Sequence, residues 1–147
     1  MTFHYTGSGL DRVYLVNGYE VHKTPYGEAV SINDIEGLHR AIARAVVESP
    51  KPIDGAEFRF IRKHLDLSQK ALAVRMNSEE QQIYRWERAC LKPVPGMADR
   101  LLRVIFLDHD GDGKKSQWIL RKLEELDPVE ADDIKFDKGD DGWKVAA

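Results

Sequence analysis

The sequence contains one cysteine, Cys90, so no disulfide can form within a single chain. A lone thiol suits a reducing compartment. It also removes the paired C-x-x-C motifs by which small domains hold zinc. The five histidines, His4, His22, His39, His64 and His109, are scattered rather than set at ligand spacing, so no metal or other cofactor is expected. No apolar run approaches membrane-spanning length. Met1 to Tyr5 lacks the basic and apolar segments of a signal peptide. A soluble, cytoplasmic protein without membrane partners is therefore expected. A nucleophile elbow, a phosphate loop and a metalloprotease motif are all missing. The adjacent pairs Glu79-Glu80 and Glu124-Glu125 diverge on a helix, and no histidine sits at a spacing that marks Cys90 as a nucleophile. These absences argue against an enzyme. Asp108, Asp110, Asp112 and Gly113 begin like a calcium loop, but Lys115 and Ile119 occupy the positions that need an apolar residue and a bidentate Glu. A polar loop is the expectation there.

What is present is a chain of 147 residues, 42% of them hydrophobic, enough to build a core in one ordinary domain or two small ones. The formal net charge of −3 is unevenly spread. Residues 1–54 carry −2, residues 55–106 carry +4 and residues 107–147 carry −5. The middle block alone has the sign that attracts phosphates.

The first 32 residues read as β structure. Arg12 to Val16 and Tyr19 to His22 are rich in strand formers, and Asn17-Gly18 between them predicts a hairpin turn. Thr24-Pro25-Tyr26-Gly27 predicts a second turn and Glu28 to Ile32 a third strand. Tyr5, Tyr14, Tyr19 and Tyr26 read as core or sheet-face residues. A helix follows, with Asn33 as cap, Glu36 completing a capping box, and an apolar stripe of Ile35, Leu38, Ile42, Ala45 and Val46. It ends by Ser49, because Pro50 disfavours helical geometry before it. Ser49-Pro50-Lys51-Pro52 has the composition of a linker.

Glu57 to Leu65 predicts another helix, with Phe58, Ile61 and Leu65 on one face and Arg59, Arg62 and Lys63 exposed or partly so. The stretch Leu67 to Glu87 then reads as two short helices joined by a tight turn. Ser68 caps the first, which carries Ala71, Leu72, Val74 and Met76, and Asn77 makes the turn. The second starts near Glu79, with Glu79 or Ser78 at its cap, and buries Ile83 and Trp86. Its outward side carries Glu80, Gln81, Gln82, Tyr84, Arg85 and Arg88, long polar side chains suited to base edges and phosphates. This is a helix-turn-helix pattern.

Leu67-Ser68-Gln69, Leu72-Ala73 and Arg85-Trp86-Glu87 resemble the phage-repressor, Cro-like (XRE) class without a gap; Asn77 and Ser78 depart from its Gly and hydrophobic residue at the turn. The run from Asn17 to Ile42 ahead of this unit resembles the front half of MqsA-type (YgiT-like) antitoxins, with the zinc-binding cysteines absent. The resemblance implies double-stranded DNA as partner, read in the major groove of a palindromic operator by a homodimer, and a toxin protein as a second partner, neutralised by the N-terminal part. It implies that Gln81 and Arg85 contact bases and that Gln69 contacts a phosphate. Gln matches adenine and Arg matches guanine in two-point contacts.

Pro93 and Pro95 end the hairpin, Met97 to Leu107 predicts a helix that closes the core over Trp86, and Gln117 to Leu126, with Trp118, predicts a further helix. Ile134 to Val145 reads either as a small hairpin turning at Asp140-Asp141 or as a disordered tail anchored through Trp143. The expected class is α+β: a small metal-free sheet-plus-helix domain at 1–49, a linker at 50–53, an all-α lambda-repressor-like helix-turn-helix domain at 54–107, and a C-terminal helix with an acidic tail at 108–147. The expected function is sequence-specific transcriptional regulation, in the manner of an antitoxin-type autorepressor. The alternative is a protein-interaction module that neutralises a toxin and whose helix-turn-helix no longer binds DNA.

Overall fold

The computed structural model describes residues 2–111 and 132–146. The fold is α+β, with five helices and two small sheets among the described residues. The chain divides into two compact units, one of Met1–Ile42 with Ala131–Ala147, the other of Ala43–Glu130. The division runs through the first helix rather than the Ser49–Pro52 segment, and it gathers the C-terminal strands with the N-terminal ones. The helix expected at Gln117 to Leu126, and the Lys115 and Ile119 positions of the Asp-rich loop, lie outside the described residues.

In the first unit, β1 (Phe3–His4), β2 (Val13–Leu15), β5 (Ile134–Gly139) and β6 (Gly142–Val145) form a four-stranded sheet in the order β1-β2-β5-β6. β2 runs parallel to β5, with Leu15 opposite Phe136, and both side chains are fully buried. The C-terminal stretch is thus the hairpin of the two readings, turning at Asp140-Asp141. β3 (Tyr19–Thr24) and β4 (Gly27–Ile32) form a separate two-stranded ribbon that turns at Pro25-Tyr26. The hairpin expected at Asn17-Gly18 is not formed. β2 is paired on both sides by β1 and β5, so it has no free edge for β3. Gly18 does take a positive φ of 79°, and a Cβ there would overlap the Trp143 ring. The Trp143 indole N–H donates to the Asn33 and Asp34 carbonyls, both at 3.1 Å.

Helix α1 spans Ile35–Glu48. Its cap is Asp34, not Asn33: the Gly37 N–H donates to Asp34 Oδ1 at 3.1 Å. Leu38, Ile42, Ala43, Val46 and Val47 are buried, while Ile35, expected on the apolar stripe, is exposed. At the N-terminal end of the helix His39 Nε2 lies 2.7 Å from the Tyr5 hydroxyl. Burial lowers the His39 pKa and raises that of Tyr5. The phenol hydroxyl and the imidazole share a hydrogen bond.

The second unit holds α2 (Gly55–His64), α3 (Gln69–Arg75), α4 (Glu80–Arg88) and α5 (Gly96–His109). Phe58, Ile61, Leu65, Leu72, Ile83, Leu102 and Phe106 make its apolar core. Asp54 caps α2 in a full capping box with Glu57, in which each side chain accepts from the other's backbone N–H at 2.8 and 3.0 Å. The segment before it is held from α5. Arg103 donates to Asp99 Oδ1 at 2.7 Å and to the carbonyls of Val47 (2.9 Å), Ser49 (2.6 Å) and Lys51 (2.8 Å). Asp99 Oδ2 in turn accepts the Ile53 N–H at 2.7 Å. The residues read as a linker are therefore bonded into the unit by a buried ion pair, a role that apolar periodicity does not register.

Candidate nucleic-acid interface

The candidate surface is built on α3, the turn after it, and α4. Ser68 caps α3, accepting the Ala71 N–H at 3.0 Å. Asn77 adopts a left-handed φ of 52°, which its short polar side chain tolerates, and the Ser78 N–H closes back on the Ala73 carbonyl at 2.8 Å. Extended Glu79 is the residue that opens α4; neither its side chain nor that of Ser78 makes a capping bond. Val74, one of the apolar residues that α3 carries, is 75% exposed.

α4 presents its polar side outward. Glu80, Gln81, Tyr84, Arg85 and Arg88 are exposed and Gln82 is half-buried. Gln81 and Arg85 lie one helical turn apart, so they share a face. The Arg85 guanidinium makes no hydrogen bond or ion pair among the described residues. Arg88 Nη1 donates to the Tyr84 hydroxyl at 2.6 Å, and its guanidinium lies 5.8 Å from the Tyr84 ring centre, which ties these two side chains together.

The opposite side anchors the helix. Ile83 is fully buried, whereas Trp86 is only half-buried, edge-on to Phe58 with ring centres 5.9 Å apart. The second buried residue is Glu87. Arg62 of α2 grips it with two bonds, Nε to Oε2 at 2.7 Å and Nη2 to Oε1 at 2.9 Å, and gives a third to the Leu67 carbonyl at 2.9 Å. Arg62 is thus buried, not exposed. A guanidinium that pairs with a carboxylate through two parallel bonds fixes orientation as well as distance. Gln69 joins the pair, its Nε2 donating to Glu87 Oε1 at 3.1 Å. Gln69 therefore spends one of its two amide N–H groups inside the unit and stands half-buried at the start of α3.

Gln69, Tyr84 and Arg88 come together around a pocket of about 410 Å³ that Arg59, Arg62, Glu87 and Cys90 also line. Gln81, Arg85 and Glu80 are not among its lining residues. Arg59 and Arg62 are the residues that reading α4 alone misses. The signal for Arg62 was available: a Glu in the last turn of an otherwise outward-charged helix asks for a cation from a neighbouring helix. Arg62 is one of the basic residues on α2.

A second, apolar groove of about 530 Å³ lies beside α4, lined by Met76, Trp86, Pro95, Met97, Leu101 and Val104 among others. Among the described residues no three His, Cys, Asp or Glu are grouped to hold a metal ion. No described helix is long and apolar enough to cross a membrane. Comparison of the chain with protein-family models, with curated proteins and with solved structures finds no match.

Proposed function

We propose that this protein is a sequence-specific DNA-binding transcriptional regulator, with α3, the Asn77 turn and α4 acting as a helix-turn-helix and α4 entering the major groove. The observation that carries the reading is the division of α4 into two sides. One side is locked by Ile83 and the Arg62–Glu87–Gln69 cluster, and the other offers exposed Gln81, Tyr84, Arg85 and Arg88. A rigidly held helix with exposed long polar side chains is what base-edge readout requires. The local charge of +4 over residues 55–106 supplies the attraction to phosphates. An operator with two-fold symmetry calls for two copies of the chain, and control of its own promoter accords with the resemblance of residues 17–42 to antitoxins.

The test is binding to DNA from the protein's own promoter over a range of salt. Affinity should fall linearly with salt on logarithmic axes. Arg85→Ala should cost about 1–3 kcal/mol on the operator and relax preference at one base pair. If Arg85→Ala keeps the wild-type pattern across single-base operator variants, Arg85 does not read sequence. No salt-sensitive binding at all would favour the second reading, a toxin-neutralising interaction module. The feature that supports that reading is the β3–β4 ribbon, whose Val21 and Val30 stand exposed.

A further inference from the structure

We propose that the β3–β4 ribbon joins two copies of this chain, with β3 pairing antiparallel with β3 of the second copy about Val21. The proposal rests on the homodimer half of the reading above and not on DNA contact.

The argument starts from the backbone. Among the described residues β3 and β4 pair only with each other, so each keeps one open edge. The Asn33 N–H donates to the Gly18 carbonyl at 2.9 Å, which makes Gly18 and Asn33 a hydrogen-bonded pair. Antiparallel pairs alternate between bonded and non-bonded along the strands. In the register that sets Tyr19 against Ile32, Val21 against Val30 and Lys23 against Glu28, those three pairs are the non-bonded ones. The N–H and C=O groups of Tyr19, Val21 and Lys23 therefore point away from β4, at the open edge. Such a row of unspent groups is a template for another strand.

A two-fold axis through Val21 sets Val21 against its own copy and Tyr19 against the partner's Lys23, all as hydrogen-bonded pairs. It sets Glu20 against the partner's His22 as a non-bonded pair, where side chains come closest. Within one copy His22 Nε2 already lies 3.0 Å from the Ser31 hydroxyl and 3.7 Å from Glu20 Oε2; the pairing adds the partner's Glu20 carboxylate on the same face, and does so twice by symmetry. The β4 edge has no such complement: an axis through Val30 sets the Glu28 carboxylate against Ile32. Nucleic acid is a poor occupant of the ribbon, because Glu20 and Glu28 outnumber Lys23. Pairing also answers a stability problem. An isolated two-stranded ribbon is marginal in water, and further strands that share an apolar face stabilise it. Val21, 51% exposed, and Val30, 37% exposed, share one face of the ribbon and gain neighbours from the second copy.

The experiment is sedimentation equilibrium of the full chain without DNA. The wild-type protein is expected to be a dimer. Val21→Pro removes an N–H that faces the open edge and leaves the β3–β4 ladder intact, so it is expected to give a monomer with an unchanged far-ultraviolet spectrum. Val30→Pro makes the equivalent change on β4 and is expected to stay dimeric. Glu20→Lys and His22→Glu should each weaken self-association about tenfold, and mixing the two variants should restore a heterodimer. A monomeric wild-type protein overturns the proposal. So does a dimer that survives Val21→Pro, which would place the contact elsewhere, the apolar groove beside α5 included. Loss of the dimer in both proline variants, with no restoration in the charge-exchanged mixture, overturns it as well. DNA affinity is measured separately, so either half can fail while the other stands.

Discussion

Arg103 spends all five of its guanidinium N–H donors: Nε and Nη2 on Asp99, Nη1 on Val47 and Ser49, and Nη2 again on Lys51. With its side chain 2% exposed and that of Asp99 4% exposed, neither charge has water to fall back on. Removing one partner strands the other in a low-dielectric site. Asp99→Ala should therefore lower stability by about 3–5 kcal/mol, read as a shift of the urea midpoint at constant slope. The His39–Tyr5 contact gives a milder, pH-dependent effect. The His39 pKa is lowered on folding, so the folded state binds fewer protons than the unfolded chain as the ring titrates. The stabilisation is then fully present above the ordinary value of 6.5 and is lost as pH falls through the folded value. Wild type should lose stability relative to His39→Gln on going from neutral pH to about pH 5, measured by denaturant unfolding at each pH. A constant difference across that range would show that His39 titrates alike in both states.

At the scale of single elements, local chemistry carries most of the assignment. Ser68, Asn77 and the prolines before α5 are read directly from the chain, because caps and turns depend on one or two side chains. The capping box of α2 is equally local, but reading the chain starts that helix at Glu57, two residues after its first residue Gly55, and names no cap. Asp54→Ala should cost about 1 kcal/mol, within the range for a lost N-cap, by thermal unfolding. Gly55 is set by something the sequence does not display. A Cβ at this position would overlap the Trp86 carbonyl oxygen, because the start of α2 is pressed against the end of α4. Gly55→Ala should therefore destabilise the protein and leave Asp54→Ala the milder change. Non-local pairing is where reading the chain stops. Asn17-Gly18 has the composition of a hairpin turn, yet β2 takes its neighbours from β1 and β5, and β5 lies near the other end of the chain. Buried charge was equally hidden. Asp99 and Arg103 look like surface residues until successive turns of α5 are seen to be buried together. The outward residues of α4 were legible because helical spacing alone separates them from Ile83.

For the whole molecule, charge decides what the proposed reading can do. The +4 of residues 55–106 sits between segments of −2 and −5, so phosphate attraction is confined to the stretch that holds α3 and α4. Arg88→Ala should weaken binding to all DNA sequences alike and reduce the salt slope by about one, in contrast to the sequence-selective loss at Arg85, both measured by titration at several salt concentrations. The parallel pairing of β2 with β5 carries a different consequence, one of timing. On the ribosome, every buried residue described for the second unit, from Ala43 to Leu107, emerges before Phe136 does. Val13 and Leu15, destined for an inner position in the first sheet, must wait for a strand that is made after all of them. At the ordinary pace of translation that interval is on the order of ten seconds. Throughout it the nascent chain displays an unfinished sheet edge while the described core of the second unit has already been made, so chaperones that watch for exposed strands should find this protein by its beginning rather than by its middle.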